Sequence, residues 1–352
     1  MEVMFMRLLK LLKKVLGVRY RLVFGALTLA VVAAFILPLS GQGAGGQAPA
    51  PAAQAPGGAP PARGAAPGGN GPIKVLDITK GHAFDREAYF VMLDSFGKEI
   101  TWTHVENPAA QAFYDPKLAA PYDVLLFYDI AGPRPPRAPA AAPGAAAPAA
   151  AAPAAKLEGP SAETRANFKA LLQSGKPLVF THHALASWVH VWPEFVETMG
   201  GACDWGNPIT VRGKQYPTSL FLDDAKQHLT VVDKAHPIMQ GLAGGFDISD
   251  EVYKCEYLPD TFHVLMTTDF DKSDVNFPNQ YARGLRYPGA GNNAVVWVKT
   301  AENSPVVYIA AGHGPHAYEN PMYRTLLMNA IRWAASPQAK AWAKANPTKI
   351  FK

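Results

Sequence analysis

Charge is scarce in this 352-residue chain, at 17% of residues against 49% hydrophobic ones. Cysteine is scarcer still, with Cys203 and Cys255 alone. With no CxxC spacing between them, they read either as small buried hydrophobes or as a pair joined in an oxidising compartment. The 30 glycines lack a three-residue period, which excludes collagen. A basic surface is lacking too, despite a formal net charge of +5. Residues 1–40 hold six of the 33 Lys and Arg and one of the 28 Asp and Glu, so the rest of the chain is neutral overall. Phosphate backbones need dense basic patches, and nucleic acid is therefore not an expected partner.

What is present divides the chain. A basic lead precedes the uncharged run 22–39, which is followed by small residues. That order is the grammar of an export signal, and the run also reaches the lower length limit for a membrane span. Cleaved signal and retained anchor both stay open for 1–40, and both place the remainder outside the cytoplasm. Residues 41–72 form a Pro/Ala/Gly linker. Residues 133–155 share that composition and interrupt the folded part as a surface insertion. Strand-like and helix-like segments alternate over 73–336, with 337–352 left as a tail. Buried Val/Ile/Leu strands in β-α units predict an α/β fold with a doubly wound, mostly parallel sheet, carrying a strand-rich extension over 215–300 in which Ser219–Leu222 and Leu229–Val232 read as two short strands.

In such sheets ligands bind at the carboxyl ends of the strands. The first predicted strand ends at His82, the third at Asp129, the fourth at His182-His183 and the last at His313, with His316 nearby. Gathered imidazoles suit a divalent metal such as Zn²⁺, or general-base work oriented by Asp129 or Glu251. The spacing His313-x-x-His316 does not match HExxH. The fourth strand's turn, Thr181-His182-His183-Ala184-Leu185, has no Gly, Ser or Cys, which disfavours a covalent nucleophile. Strand alternation sends Asp250 and Glu251 to opposite faces, with Glu251 beside Tyr253. Trp188, Trp192, Trp205 and Tyr318 follow the strand ends and either stack on a sugar or belong to the core. The i, i+4 spacing of Trp188 and Trp192 fits a helix over 186–199 kinked at Pro193.

These segments resemble the ThuA-like, trehalose-utilisation family. The resemblance runs through Gly81-His82, Tyr122–Leu125, Leu178–His183, His236-Pro237-Ile238, Gly241-Leu242, Asp250–Tyr253, Gly312-His313-Gly314 and Ile331–Ala335. It implies a flavodoxin-like domain of the class I glutamine amidotransferase type without the catalytic cysteine. It also implies a role on glycosides or oxidised sugars. Carried onto this chain, it makes His82, His183, Glu251 and His313 catalytic candidates. Trp192, Trp205, Tyr253 and Tyr318 are the candidates for holding a carbohydrate, and His183, His313 and His316 for holding a metal. A non-catalytic sugar-binding or scaffold domain tethered at the cell surface remains the alternative.

Overall fold

The computed structural model describes residues 68–136, 156–242 and 244–351. The export segment, most of the linker and most of the 133–155 insertion lie outside the described residues. Among the described residues no helix is long and apolar enough to cross a membrane.

In chain order the strands are β1 (Gly68–Gly69), β2 (Ile73–Lys80), β3 (Ile100–Glu106), β4 (Val124–Asp129), β5 (Leu178–Thr181), β6 (Gly201–Ala202), β7 (Ile209–Val211), β8 (Lys214–Tyr216), β9 (Leu220–Val231), β10 (Gly245–Lys254), β11 (Glu256–Tyr257), β12 (His263–Thr268), β13 (Ala294–Ala301) and β14 (Ser304–Ile309). Ten of them make one sheet in the order β1-β3-β2-β4-β5-β14-β13-β12-β9-β10. From β3 to β14 the neighbours are parallel. Numbered among themselves, those five strands follow the flavodoxin order 2-1-3-4-5, with the switch point between β2 and β4. Of the remaining five, β1 pairs antiparallel with β3 at one edge, and β13, β12, β9 and β10 pair antiparallel at the other and are the strand-rich extension.

The inner parallel strands β2, β4, β5 and β14 are buried on both faces. Val75, Leu76, Ile78, Leu125, Phe127, Val179, Phe180, Val307 and Ile309 have no exposed surface. Helices with clear stop and start signals cover them. Ser161 caps the helix Ala162–Gln173 by accepting from the Thr164 N–H, and Gly175 with Pro177 ends it. Asn320 caps Pro321–Ala335, whose buried side includes Leu326, Leu327, Ile331 and Ala334.

Three sequence expectations change. Residues 186–199 do not form one kinked helix. His182–Ala186 make a 3-10 turn, Trp188 takes a left-handed φ of 60°, and the helix begins only at Pro193. Proline cannot donate to a preceding turn and pushes Trp192 out of helical geometry, so the helix starts there instead of bending. The two short strands read near 219–232 are one, because the polar stretch between them alternates: Ala225, Gln227, Leu229 and Val231 are buried. Residues 337–345, read as tail, form a helix capped by Ser336 that buries Ala339 and Ala343 and packs Trp342 on Trp333.

Cys203 and Cys255 are disulfide-bonded, with Cα atoms 5.1 Å apart. They flank the β6–β11 pair, in which Ala202 faces Glu256. The cross-link ties the segment leading to Trp205 to the end of β10. Closing a loop of this size is worth about 2–4 kcal/mol. Replacing both cysteines by serine should lower the unfolding free energy by that amount in a denaturant titration. An unchanged midpoint would show that the bond contributes nothing.

Two carboxyls lie within the parallel half. Asp77 on β2 accepts from the Tyr89 hydroxyl at 2.8 Å, and Asp129 on β4 accepts from the Asn107 amide at 2.5 Å. Burial pushes their pKa values up to about 7 and about 8. The folded state therefore keeps protons that the unfolded chain has lost above pH 4, and stability falls as pH rises from about 4 to about 8. Thermal melts across that window should decline, and Asp77→Asn with Asp129→Asn should flatten the decline. If the double variant melts with the same slope, these two groups are not its cause.

Candidate active site

The site begins with a backbone constraint. Directly after β5, His182 has a left-handed φ of 53° and then enters the 3-10 turn. Non-glycine residues pay for that conformation and hold it only when the surroundings enforce it. Here the Tyr308 hydroxyl donates to the His182 carbonyl at 2.8 Å, and the ring is fully buried. Its Nδ1 lies 3.0 Å from the Ala310 carbonyl. A carbonyl can only accept, so Nδ1 carries a proton and donates to it, which turns Nε2 toward the cluster.

Nε2 faces three groups. His313 Nδ1 is 3.1 Å away, Glu251 Oε2 3.2 Å and the Tyr253 hydroxyl 2.6 Å. Glu251 Oε2 also meets His313 Nδ1 at 3.1 Å and accepts from Tyr253 at 2.6 Å. His313 stands just beyond β14, whereas Glu251 and Tyr253 come from β10, at the far edge of the sheet. Asp250 bridges that gap, its two carboxylate oxygens accepting from the Gly312 and His313 N–H groups at 2.6 and 3.0 Å.

Glu251 and Tyr253 share a face, as alternation along β10 predicts, and line the cleft together. The register between β10 and β9 shifts at Asp250/Val252, leaving Asp223 and Asp224 opposite Glu251. The bulge therefore lies in β9, while Asp250 and Glu251 both reach the Gly312-His313 turn, one at its backbone and the other at its imidazole. Asp223 joins them: burial, then a hydrogen bond shared with Glu251, raises its pKa.

The charges are sorted by environment. Burial works to raise the Glu251 pKa, but the hydrogen bonds and charges of His182 and His313 prevail and hold it far below the usual carboxylate range. The hydrogen bond with Glu251 outweighs burial at His313 and raises its pKa. His82 and His183 go the other way, held down first by burial and then by neighbouring imidazoles. Both are neutral at pH 7.

The candidate residues sort accordingly. Glu251, His313 and Tyr253 meet directly. His82 borders them, its ring 5.7 Å from that of His313. Together with Trp205, Gly206, Phe221, Glu251 and Tyr253, His82 lines a cleft of about 250 Å³. Trp205 lies 4.7 Å from Tyr253, ring to ring. His183 is not in the contact set. His182, turned by its left-handed backbone, takes that place, and His183 packs against Tyr128 and His82 at 4.4 and 4.8 Å. Neither ring nitrogen of His183 has a partner among the described residues. His316 lies apart, beginning the short helix Pro315–Tyr318 and lining another cleft with His228 and Asn320. Trp192 and Tyr318 have no exposed surface. Trp192 belongs to an aromatic cluster with Phe168 and Phe195, and Tyr318 shares a hydrogen bond with Tyr128 at 2.7 Å. Asp129, a candidate for orienting a histidine, is paired with Asn107 instead.

Two of these placements had a signal in the sequence. The first residue past a strand end is the usual elbow position, which favours His182 over His183. The acidic run Asp223-Asp224 opposite Asp250-Glu251 could have indicated a bulge.

His182 Nε2, His313 Nδ1 and Glu251 Oε2 fit a metal ion. They form a triangle with edges of 3.1, 3.2 and 3.1 Å, whereas donors bound at zinc distances in a tetrahedron stand roughly 3.3 Å apart. The Ala310 carbonyl behind His182 is the outer-shell partner that a ligating imidazole needs.

The family model for trehalose utilisation, ThuA, matches residues 92–334. A ThuA-like protein from Parabacteroides merdae superposes with a TM-score of 0.51 at 18% identity, over 75% of this chain and 90% of that one. One from Bacteroides uniformis gives 0.45 at 19% identity, over 74% and 91%. A GMP synthase subunit from Thermoplasma acidophilum gives 0.39 at 12%, over 76% and 96%. No curated protein matches. With most of the folded region matched by the family model, the chain belongs to the ThuA family.

Proposed function

We propose that this protein is exported and acts on glycosides or oxidised sugars at the His182–Glu251–His313 cluster, using a divalent metal such as Zn²⁺ held by those three side chains. The observation that carries the reading is the near-equilateral triangle of donor atoms brought together from the carboxyl ends of β5 and β14 and from β10. When bound, such an ion would polarise a substrate oxygen or acidify a water molecule. The rest is supplied by the chain. His182 is locked in the tautomer that offers Nε2, and Asp250 holds the turn that aims His313. Tyr253 orients Glu251 by donating to it. His82, neutral and at the mouth, is free to accept a proton. Trp205 and Phe221 offer the apolar wall on which the C–H face of a sugar ring can stack. The family's link to trehalose utilisation supports the substrate class. The disulfide and the basic-apolar lead support export.

The non-catalytic alternative draws on one observation: an imidazole, not a hydroxyl or thiol, occupies the elbow. Sugars that raise the melting temperature without yielding any product would favour it.

Elemental analysis of the purified full-length protein should find one divalent ion per chain, and cobalt titration of the metal-stripped protein should restore it. His182→Ala and Glu251→Gln should weaken uptake by more than about tenfold, while His183→Ala and His316→Ala leave it unchanged. Equal loss in all four variants, or no uptake by the native chain, would falsify the metal reading. Asp250→Asn should act indirectly, since its amide nitrogen cannot accept from a backbone N–H. Loss of one such bond should cost about 1.5–3 kcal/mol of stability and weaken metal uptake by about 10–100-fold. Native affinity in that variant would remove Asp250 from the account.

A further inference from the structure

Trp205, the largest ring lining the cleft beside Glu251, stands on a loop. Residues 203–208 join β6 to β7 without helix or strand, and such segments are ordinarily the most mobile part of a fold. This one is tied by a single side chain. Asp204 Oδ1 accepts from the N–H groups of Gly206 and Asn207, at 2.7 and 3.1 Å, and so closes a turn around Trp205. Among the described residues those two N–H groups have no other partner.

Asp204 is fixed in turn from three directions. Its Oδ2 accepts from His190 Nε2 at 2.6 Å, and Arg134 Nη1 stands 3.7 Å from Oδ1. Its own N–H donates to Ser219 Oγ at 3.0 Å, and its carbonyl accepts from the Ser219 N–H at 2.7 Å. Arg134 also donates to the Ala186 carbonyl at 2.8 Å, at the end of the 3-10 turn that begins with His182. Asp204 is 1% exposed. Burial works to raise its pKa, but the His190 hydrogen bond and the Arg134 charge prevail and lower it, so the carboxylate is ionised at pH 7. A buried charge costs stability unless it is paired. Here the pairing is complete, and what the charge holds is the turn that carries Trp205.

We infer that Asp204 is a positioning residue for the ligand: through the N–H groups of Gly206 and Asn207 it fixes the Trp205 ring as a preorganised wall, and His190 and Arg134 hold Asp204 in place. The inference rests on the reading of this cleft as a sugar site and is independent of the metal. A ring already set in its stacking orientation loses less freedom when a sugar arrives, so affinity follows the order of the turn. Asp204 lies outside both the cleft lining and the donor triangle. Its effect therefore passes through Trp205. A merely structural Asp204 would change stability and leave the ligand affinity of the folded protein as it was.

Fluorine NMR and calorimetry on the full-length protein test this, with 5-fluorotryptophan at the seven tryptophans and with trehalose and D-glucose as probes. Trp205→Phe assigns the Trp205 line, which should be single and narrow in the native chain. Asp204→Ala and His190→Ala should split or broaden that line and weaken sugar binding by about tenfold or more. His190→Gln, whose amide can donate to the same oxygen, should keep both the line and the affinity. Circular dichroism identifies the folded variants, and His190→Ala carries the test if Asp204→Ala does not fold. A native chain that binds neither sugar, or a Trp205→Ala variant that binds as tightly as the native chain, overturns the sugar reading and the inference with it. Where Trp205→Ala does lose binding, a folded Asp204→Ala or His190→Ala variant with native affinity, or with an unchanged Trp205 line, overturns the inference alone.

Discussion

The site depends on one carboxylate gripping two backbone amides. Asp250 binds the N–H groups of Gly312 and His313, and so joins the outermost antiparallel strand to the last parallel one. Between those strands the sheet has three others, β13, β12 and β9. Without this contact, nothing in the strand order would bring Glu251 to His313. The grip is buried, where hydrogen bonds gain strength from the low dielectric. The disulfide adds a second tie to the same strand, five residues beyond Asp250.

The sequence made the scaffold legible and left the wiring obscure. Parallel strands such as β4 and β14 are continuous apolar runs, and their helices carry Ser161, Asn320 and Gly175 at the expected ends. Order and class therefore follow from local pattern. The ends of strands then nominate histidines, because topology alone gathers them. What fails is everything decided by one residue's backbone. Whether His182 or His183 reaches the cluster turns on a single left-handed φ. Trp188 and Trp192 have a helical spacing that Pro193 prevents the chain from using. Local pattern reports average geometry, and active sites are built from departures from it.

The strained residue after β5 clarifies why this family member need not be a covalent catalyst. In hydrolases of related topology the turn after this strand exposes a nucleophile. Here the same strain aims an imidazole, and Ala310 fixes its tautomer. The position is thus a means of presenting one side chain at the strand ends, with the chemistry set by which side chain that is. Glu251, Tyr253 and His313 complete the change by surrounding Nε2 with groups suited to a cation and not to an acyl intermediate.

Burial then determines what the imidazoles can do. His82 and His183 are neutral because desolvation disfavours their charged forms, and His183 has no carboxylate in contact to reverse that. His313 has Glu251, and its affinity for a proton rises. A cation at the cluster would compete with that proton for the same lone pair, while the neutral rings beside it would add no repulsion beyond His313 itself. In the proposed reading the neutrality of His82 and His183 has its own purpose. Four protonated imidazoles within a few ångströms would repel any metal ion. Desolvating two of them lowers that repulsion at neutral pH, beside the ionised Glu251.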